Sequence, residues 1–278
     1  MSQASVRTSL MRTSSVAALA TLIACGSGAS GPGKAPTVDE LFEADLAASG
    51  GRTAWASIRT LRSEGTLNTT SDRAVGEVVM VARAPNLRHM LIMTPGQVIE
   101  SGCDGATTWS VDGKDEPRVL TGDQAARALR DASIKSLDWR RQYERGDVVG
   151  PVTYHDHPAW KVVFTAADVT TTVYYDRATH LELGKDSTER TPGGDVTSRM
   201  YFPSYRRFGA IKQPDTITTN FGDELMVIKI ETLDVNPRLQ PHAFALPPDV
   251  AALRDAIAAD APPADDPAPP PPTGDDAR

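Results

Sequence analysis

Residues 76–113, GEVVMVARAPNLRHMLIMTPGQVIESGCDGATTWSVDG, constrain the fold more than any other part of the chain. Short apolar runs are separated there by Ala84-Pro85-Asn86, Pro95-Gly96 and Asp104-Gly105, and Asp112-Gly113 closes the set. Short β-branched and apolar runs bounded by Pro, Gly, Asn or Asp read as antiparallel strands of a meander. Alternation places Val78, Met80 and Ala82 on one side and Val79 and Val81 on the other; Leu87, Leu91 and Met93 likewise oppose Met90 and Ile92. Strands that are apolar on both sides must be covered on both sides or must line a cavity.

Similar signals recur at 61–69, 148–154, 159–165, 170–176, 181–189, 196–205, 216–221 and 225–235. Turn sequences such as His155-Asp156-His157-Pro158 and Pro192-Gly193-Gly194 join them. The pattern predicts about eleven or twelve antiparallel strands in chain order. Helical spacing is confined to a few places. Thr37 or Asp39 caps a segment carrying Leu41, Phe42 and Leu46 that ends near Gly50-Gly51, and a short helix follows over 53–58 with Trp55 and Ile58 on one face. Residues 121–145 interrupt the strands with Ala125, Ala126, Leu129, Ile134, Leu137, Trp139 and Tyr143 at helical intervals. The fold class expected is mainly β: one large, strongly curved antiparallel sheet interrupted by one helical insert.

The N-terminus reads as an address. Arg7 and Arg12 precede a short apolar run at 16–24, too short to cross a bilayer, and Leu22-Ile23-Ala24-Cys25 resembles the lipobox of bacterial lipoproteins. On that reading 1–24 is a signal peptide, Cys25 is the lipidation site, and 25–36 is a Gly/Ser/Pro tether. The alternative is an ordinary secretory signal followed by an incidental Cys. Acyl chains contribute about 0.8 kcal/mol per buried CH₂, so two or three chains hold a protein firmly on a membrane. Gly26 rather than Asp after the Cys is the residue that, by analogy with enterobacterial sorting, directs a lipoprotein to the outer membrane. The folded domain is expected over 37–250. The tail at 251–278 begins with a short helical pattern at Leu253 and Ile257, then becomes Pro- and Asp-rich with no large apolar residue, and is expected to be disordered.

Composition removes several function classes. A net charge of −7 argues against nucleic acid as a partner. His155, Asp156 and His157 lack a third ligand at workable spacing, so no metal and no cofactor is expected. Cys103 reads as a buried free thiol. Neither G-x-S-x-G, S-x-x-K nor H-E-x-x-H occurs, so no enzyme is expected. The G-x-G-x-x-G and G-x-x-x-x-G-K spellings at 26–34 follow no strand and are accidents of tether composition.

The segments in register resemble the LolA/LolB lipoprotein-carrier superfamily over about 45–250. The carriers of the likeness are Ile58-Arg59-Thr60-Leu61, Gly76 with Arg83-Ala84-Pro85-Asn86-Leu87, Asp104-Gly105 with Trp109, Tyr174-Tyr175-Asp176, Tyr205-Arg206-Arg207-Phe208-Gly209, and Phe244 with Pro247-Pro248. The resemblance implies an incomplete, half-open β-barrel whose hydrophobic concave mouth is crossed by helices. Acyl chains or lipoproteins enter when the helices move. It implies a non-enzymatic, monomeric protein of the cell envelope facing the periplasm; the carrier of the pair is soluble and the acceptor lipid-anchored, and the lipobox places this chain with the anchored type. In carriers an Arg before a Pro-Asn segment holds the lid, and Arg83 is the match here. A branch with this fold serves in envelope-stress sensing, which is the alternative role.

Independently of the resemblance, Met80, Met90, Met93, Met200 and Met226 fall in predicted strands, although Met is not a preferred strand former. Flexible thioethers suit a pocket for varied apolar ligands, so these five with Trp109 are the candidate cavity lining; plain core packing is the competing reading. Replacing the lipobox cysteine, Cys25→Ala, is expected to move the protein from sedimented membranes to the supernatant. Unchanged sedimentation would refute lipidation.

Overall fold

The computed structural model describes residues 34–69, 74–113, 116–166, 169–191, 194–221 and 224–260. The lipobox with Cys25 and the tail from 261 lie outside them. Helix α1 (Val38–Ala48) starts with a capping box, in which Thr37 Oγ1 accepts from Glu40 N while the Glu40 carboxylate accepts from Thr37 N. Helix α2 (Arg52–Ala56) follows after Gly50-Gly51, both at positive φ. A Cβ on Gly50 would lie 2.6 Å from the Ala210 carbonyl oxygen, so only glycine lets this turn approach the sheet.

Strands β1 (Thr60–Thr69), β2 (Ala74–Arg83), β3 (Leu87–Thr94), β4 (Gln97–Asp104), β5 (Thr108–Asp112) and β6 (Arg118–Val119) come next. Helix α3 (Gly122–Asp131) and a 3-10 turn (Trp139–Arg141) intervene. Then follow β7 (Arg145–Tyr154), β8 (His157–Ala166), β9 (Val169–Asp176), β10 (Glu182–Thr191), β11 (Gly194–Phe208), β12 (Ile211–Phe221) and β13 (Glu224–Val235), and α4 (Pro248–Asp260) ends the described chain.

All thirteen strands form one antiparallel sheet in the order β6-β5-β4-β3-β2-β1-β13-β12-β11-β10-β9-β8-β7. It is an open, curved sheet and not a closed barrel. Two-residue β6 is the strand beyond the expected twelve, too short to leave a periodic signal. The first and last strands pair, with Leu61 opposite Val235 and Leu67 opposite Ile228. The two free edges are therefore β6 and β7, consecutive in the chain, and the helical insert connects them. Edge strand β7 carries Arg145, Asp147 and Pro151, and its register slips between Val148 and Gly150.

Residues paired across antiparallel strands share a face. Leu61, Ser63, Gly65 and Leu67 therefore share an inner face with Ala82, Met80, Val78 and Gly76. Helices cover two parts of this face. Leu41 of α1 and Trp139 pack on Val162, Phe164, Val173 and Tyr175. Leu46, Trp55, Ile58, Leu61 and Ile211 form a second cluster, into which Ile134 and Leu137 of the insert also pack. Part of the outer face of β2–β6 is covered by the chain after β13. Asn236, at φ 57, turns the chain by accepting from Arg59 N and Thr60 N; His89 Nδ1 lies 3.2 Å from the Ala243 carbonyl; α4 packs on β6 with Val250 fully buried.

The insert departs from the continuous helical reading of 121–145. Helix α3 ends at Asp131, with Ala132 as its C-cap, and the intervening segment carries Ser133, Ile134 and Ser136. Ser136 Oγ donates to the Asp138 carbonyl, and the Asp138 side chain caps the 3-10 turn by accepting from Arg140 N. Such short polar side chains satisfy local backbone in place of a helix. The break drops Ile134 and Leu137 onto the Trp55–Leu61 cluster. The expected domain end at 250 falls inside α4, whose Val250 is buried.

Candidate functional site

The inner face has a third apolar region, formed by strand residues alone. Leu67, Val78 and Ile92 are buried in it, with Met90, Ile99, Met226 and Ile228 packed around them half-buried. Met80 shares this face through its pairing with Met90, itself opposite Ser101. A further inner row runs from Met200 of β11 through Thr219 to Met226 and Thr69. Met80, Met90, Met200 and Met226 thus lie on one wall.

Met93 and Trp109 do not. Met93 pairs with Glu77, one residue out of phase with Val78 and Ile92. Trp109 pairs with Gly102, which pairs with His89, so all three lie on the outer face. The Trp109 ring is 5.7 Å from that of His89 and lies so close over Gly102 that a Cβ there would sit 2.8 Å from it. Arg83 is also on the outer face: its guanidinium stacks over Phe244, 5.1 Å from the ring centroid. The strand arginine that reaches α3 is Arg88 of β3, whose Nη1 is 3.4 Å from the Asp131 carbonyl at the end of α3. Arg88 pairs with Ala82 on the inner face, which is why it and not Arg83 points under the helix. His155 and Asp156 form the β7–β8 turn, with His155 stacked on Tyr201. Cys103 is buried, and burial pushes its thiol up.

Polar contacts tie the insert to α1 beside the apolar packing of Trp139, Ile134 and Leu137. Asp39 accepts both guanidinium nitrogens of Arg140 at 2.8 Å and the Trp139 indole N–H at 2.8 Å. These hydrogen bonds hold the Asp39 carboxyl down at about 2. Lys135 Nζ donates to the buried Asp45 carboxylate at 2.7 Å and lies over the Trp55 ring. Asp45 also accepts from Glu182 N of β10, so one carboxylate joins α1, the insert and the sheet. Arg52, ion-paired with Glu43, donates to the Leu137 carbonyl at 2.7 Å.

Between α3 and the strands lies a cavity of about 170 Å³. Its walls are Arg127, Arg130 and Asp131 of α3, Gln142 and Tyr143 after the 3-10 turn, and inner-face residues of β8–β11 that include Thr171, Lys185, Ser198 and Met200. The sequence gives no direct sign of this cavity, because its walls come from separate segments at 127–143 and 166–200. The i, i+3 spacing of Arg127 and Arg130 was the nearest signal.

No family model matches the sequence, and no curated protein matches it. Solved structures do match in fold. A LolA superfamily protein from Nitrosomonas europaea superposes with a TM-score of 0.51 at 12% identity, covering 76% of this chain and 99% of that one. A DUF1329 family protein from Desulfovibrio piger does so with 0.51 at 12% identity, covering 76% and 98%. The chain has the LolA-like fold.

Two outcomes follow for the cap. Lys135→Ala leaves Asp45 buried without its cation, and is expected to cost about 3 kcal/mol in chemical denaturation and to accelerate amide exchange in 122–143. The Asp39 pKa is lower in the folded state than its ordinary 3.8. Its ties to Trp139 and Arg140 are therefore complete above that ordinary value and are lost as pH falls through about 2. Trp139 fluorescence should respond in that window, and Asp39→Asn should remove the response.

Proposed function

We propose that this protein is a non-enzymatic binding protein of the cell envelope that shelters the acyl chain of a lipoprotein or another amphiphile against the inner face of its open sheet. The observation that carries the reading is the strand-only cluster of Leu67, Val78 and Ile92 with Met90, Met226 and Ile228. It shares the inner face with the helix-covered clusters, yet its described members come from strands alone. Met80, Met90, Met200 and Met226 supply adaptable thioethers along the wall. The fold shared with a LolA superfamily protein supports the same reading.

The mechanism is exchange of covers. Each methylene removed from water contributes about 0.8 kcal/mol, so ten buried methylenes contribute about 8 kcal/mol. Across its seam with α1 the cap is held by exposed ion pairs, which contribute little, by the Asp45–Lys135 pair, and by the packing of Trp139, Ile134 and Leu137 beside Leu41 and Leu46. An entering chain can therefore offset the release of these ties. Lipidation at Cys25 places the domain on a membrane, with 25–36 as its tether, and the role is trafficking of lipoprotein or lipid toward the outer membrane.

Native mass spectrometry of protein extracted from membranes is expected to show co-purifying acyl species, and the stripped protein should take up a fluorescent fatty acid. An empty protein that takes up no such probe would sink the reading.

A further inference from the structure

The cavity under α3 is unlike the apolar wall it adjoins. Four of its twelve lining residues are charged, in a chain whose net charge is −7: Arg127, Arg130, Lys185 and Asp131. Two of these already have nearby countercharges. Arg127 is ion-paired with Glu189 of β10, and Asp131 faces the guanidinium of Arg88. That leaves Arg130 and Lys185. Neither side chain donates a hydrogen bond to any described residue, and both line the same cavity from opposite sides, one from the helix and one from the sheet. Glu182 is a buried carboxylate whose charge interacts with Lys185, but no hydrogen bond or ion pair joins the two side chains. Gln142, Thr171, Ser187 and Ser198 add neutral hydrogen-bonding groups around the two cations. The volume accommodates a small oxyanion together with several waters.

The cavity is also continuous with the apolar wall. Met200 lines it and begins the inner row Met200, Thr219, Met226, and Met226 belongs to the cluster of Leu67, Val78 and Ile92. With strands about 4.8 Å apart, Met226 is roughly 10 Å and β3 roughly 24 Å from Met200 along the sheet. An extended acyl chain can follow that path with its polar end beside Arg130 and Lys185.

We propose that the cavity under α3 is the polar end of the amphiphile site, where Arg130 and Lys185 receive an anionic carboxylate or phosphate head group whose chain lies along Met200, Met226 and Ile92. This rests on the apolar-wall reading above. It adds that the ligand is an anionic lipid and not a neutral one.

The test compares palmitate with methyl palmitate on the full chain, stripped of lipid, at low salt. The acid is expected to bind at least about tenfold more tightly than the ester, with a preference that shrinks as salt rises. In the Arg130→Gln, Lys185→Gln double variant the acid should fall to the level of the ester while ester binding is unchanged. Lys185→Arg alone should keep the preference. Equal binding of acid and ester by the unaltered protein would overturn the inference and leave the apolar wall standing; binding of neither would overturn both. Inorganic phosphate is the remaining arm. It should neither saturate the protein nor displace palmitate at the concentrations where palmitate binds, and phosphate binding as tight as palmitate would overturn the lipid assignment in favour of a free anion. The comparison of acid with ester needs no variant, so it decides the question even if the double variant does not fold.

Discussion

The ladder between β1 and β13 is the pairing on which the rest of this molecule depends. It joins the first strand to the last, with Leu61 opposite Val235 and Thr69 opposite Met226. An ordinary meander would leave its first and last strands as the free edges. Here that pairing moves the interruption to the middle of the chain, between β6 and β7. The connection between those strands must then pass the opening, and α3 and the 3-10 turn are that connection. Gly65 shows how close the pairing is, since a Cβ there would meet the Lys229 carbonyl oxygen at 2.2 Å.

Two kinds of force divide the inner face. Under α1, α2 and the insert the contacts are close-packed and apolar, built on Phe164, Leu46 and Ile211. Between α1 and the insert, polar ties built on Asp39 and Asp45 are added to the apolar contacts of Trp139, Ile134 and Leu137. Burial in water-excluded clusters is costly to reverse, whereas exposed ion pairs exchange readily with water. The seam between α1 and the insert carries exposed ion pairs beside its apolar packing, and the half-buried Met90, Met226 and Ile228 around Leu67, Val78 and Ile92 are the surface that a new apolar neighbour would cover.

Much of the sheet was legible in the chain because alternation is a local signal. The opposition of Met90 and Ile92 to Leu91 and Met93 is in the sequence and in the structure. Whether a given strand's phase faces inward depends on partners far away. Trp109 could be assigned to the cavity only by ignoring that it sits opposite Gly102 and His89 on the other face. Arg83 and Arg88 differ by an odd number of positions and by a turn, and only the pairing of Arg88 with Ala82 decides which one lies under α3. The carboxylates that tie the cap were invisible for the same reason: Asp45 meets Lys135 ninety positions away, and no local period announces it. The C-terminal cover was half legible, since Leu253 and Ile257 gave the helix but not the burial of Val250.

An open sheet must also avoid recruiting strands from other molecules, and the two ends do so differently. β6 offers only two residues and lies under α4. β7 is ten residues long, but Pro151 withholds a backbone donor, the slip between Val148 and Gly150 breaks its regular row of amides, and Arg145 and Asp147 put charge on the rim. Those features oppose edge-to-edge pairing. An open sheet can then persist in a crowded compartment without becoming a template for fibres.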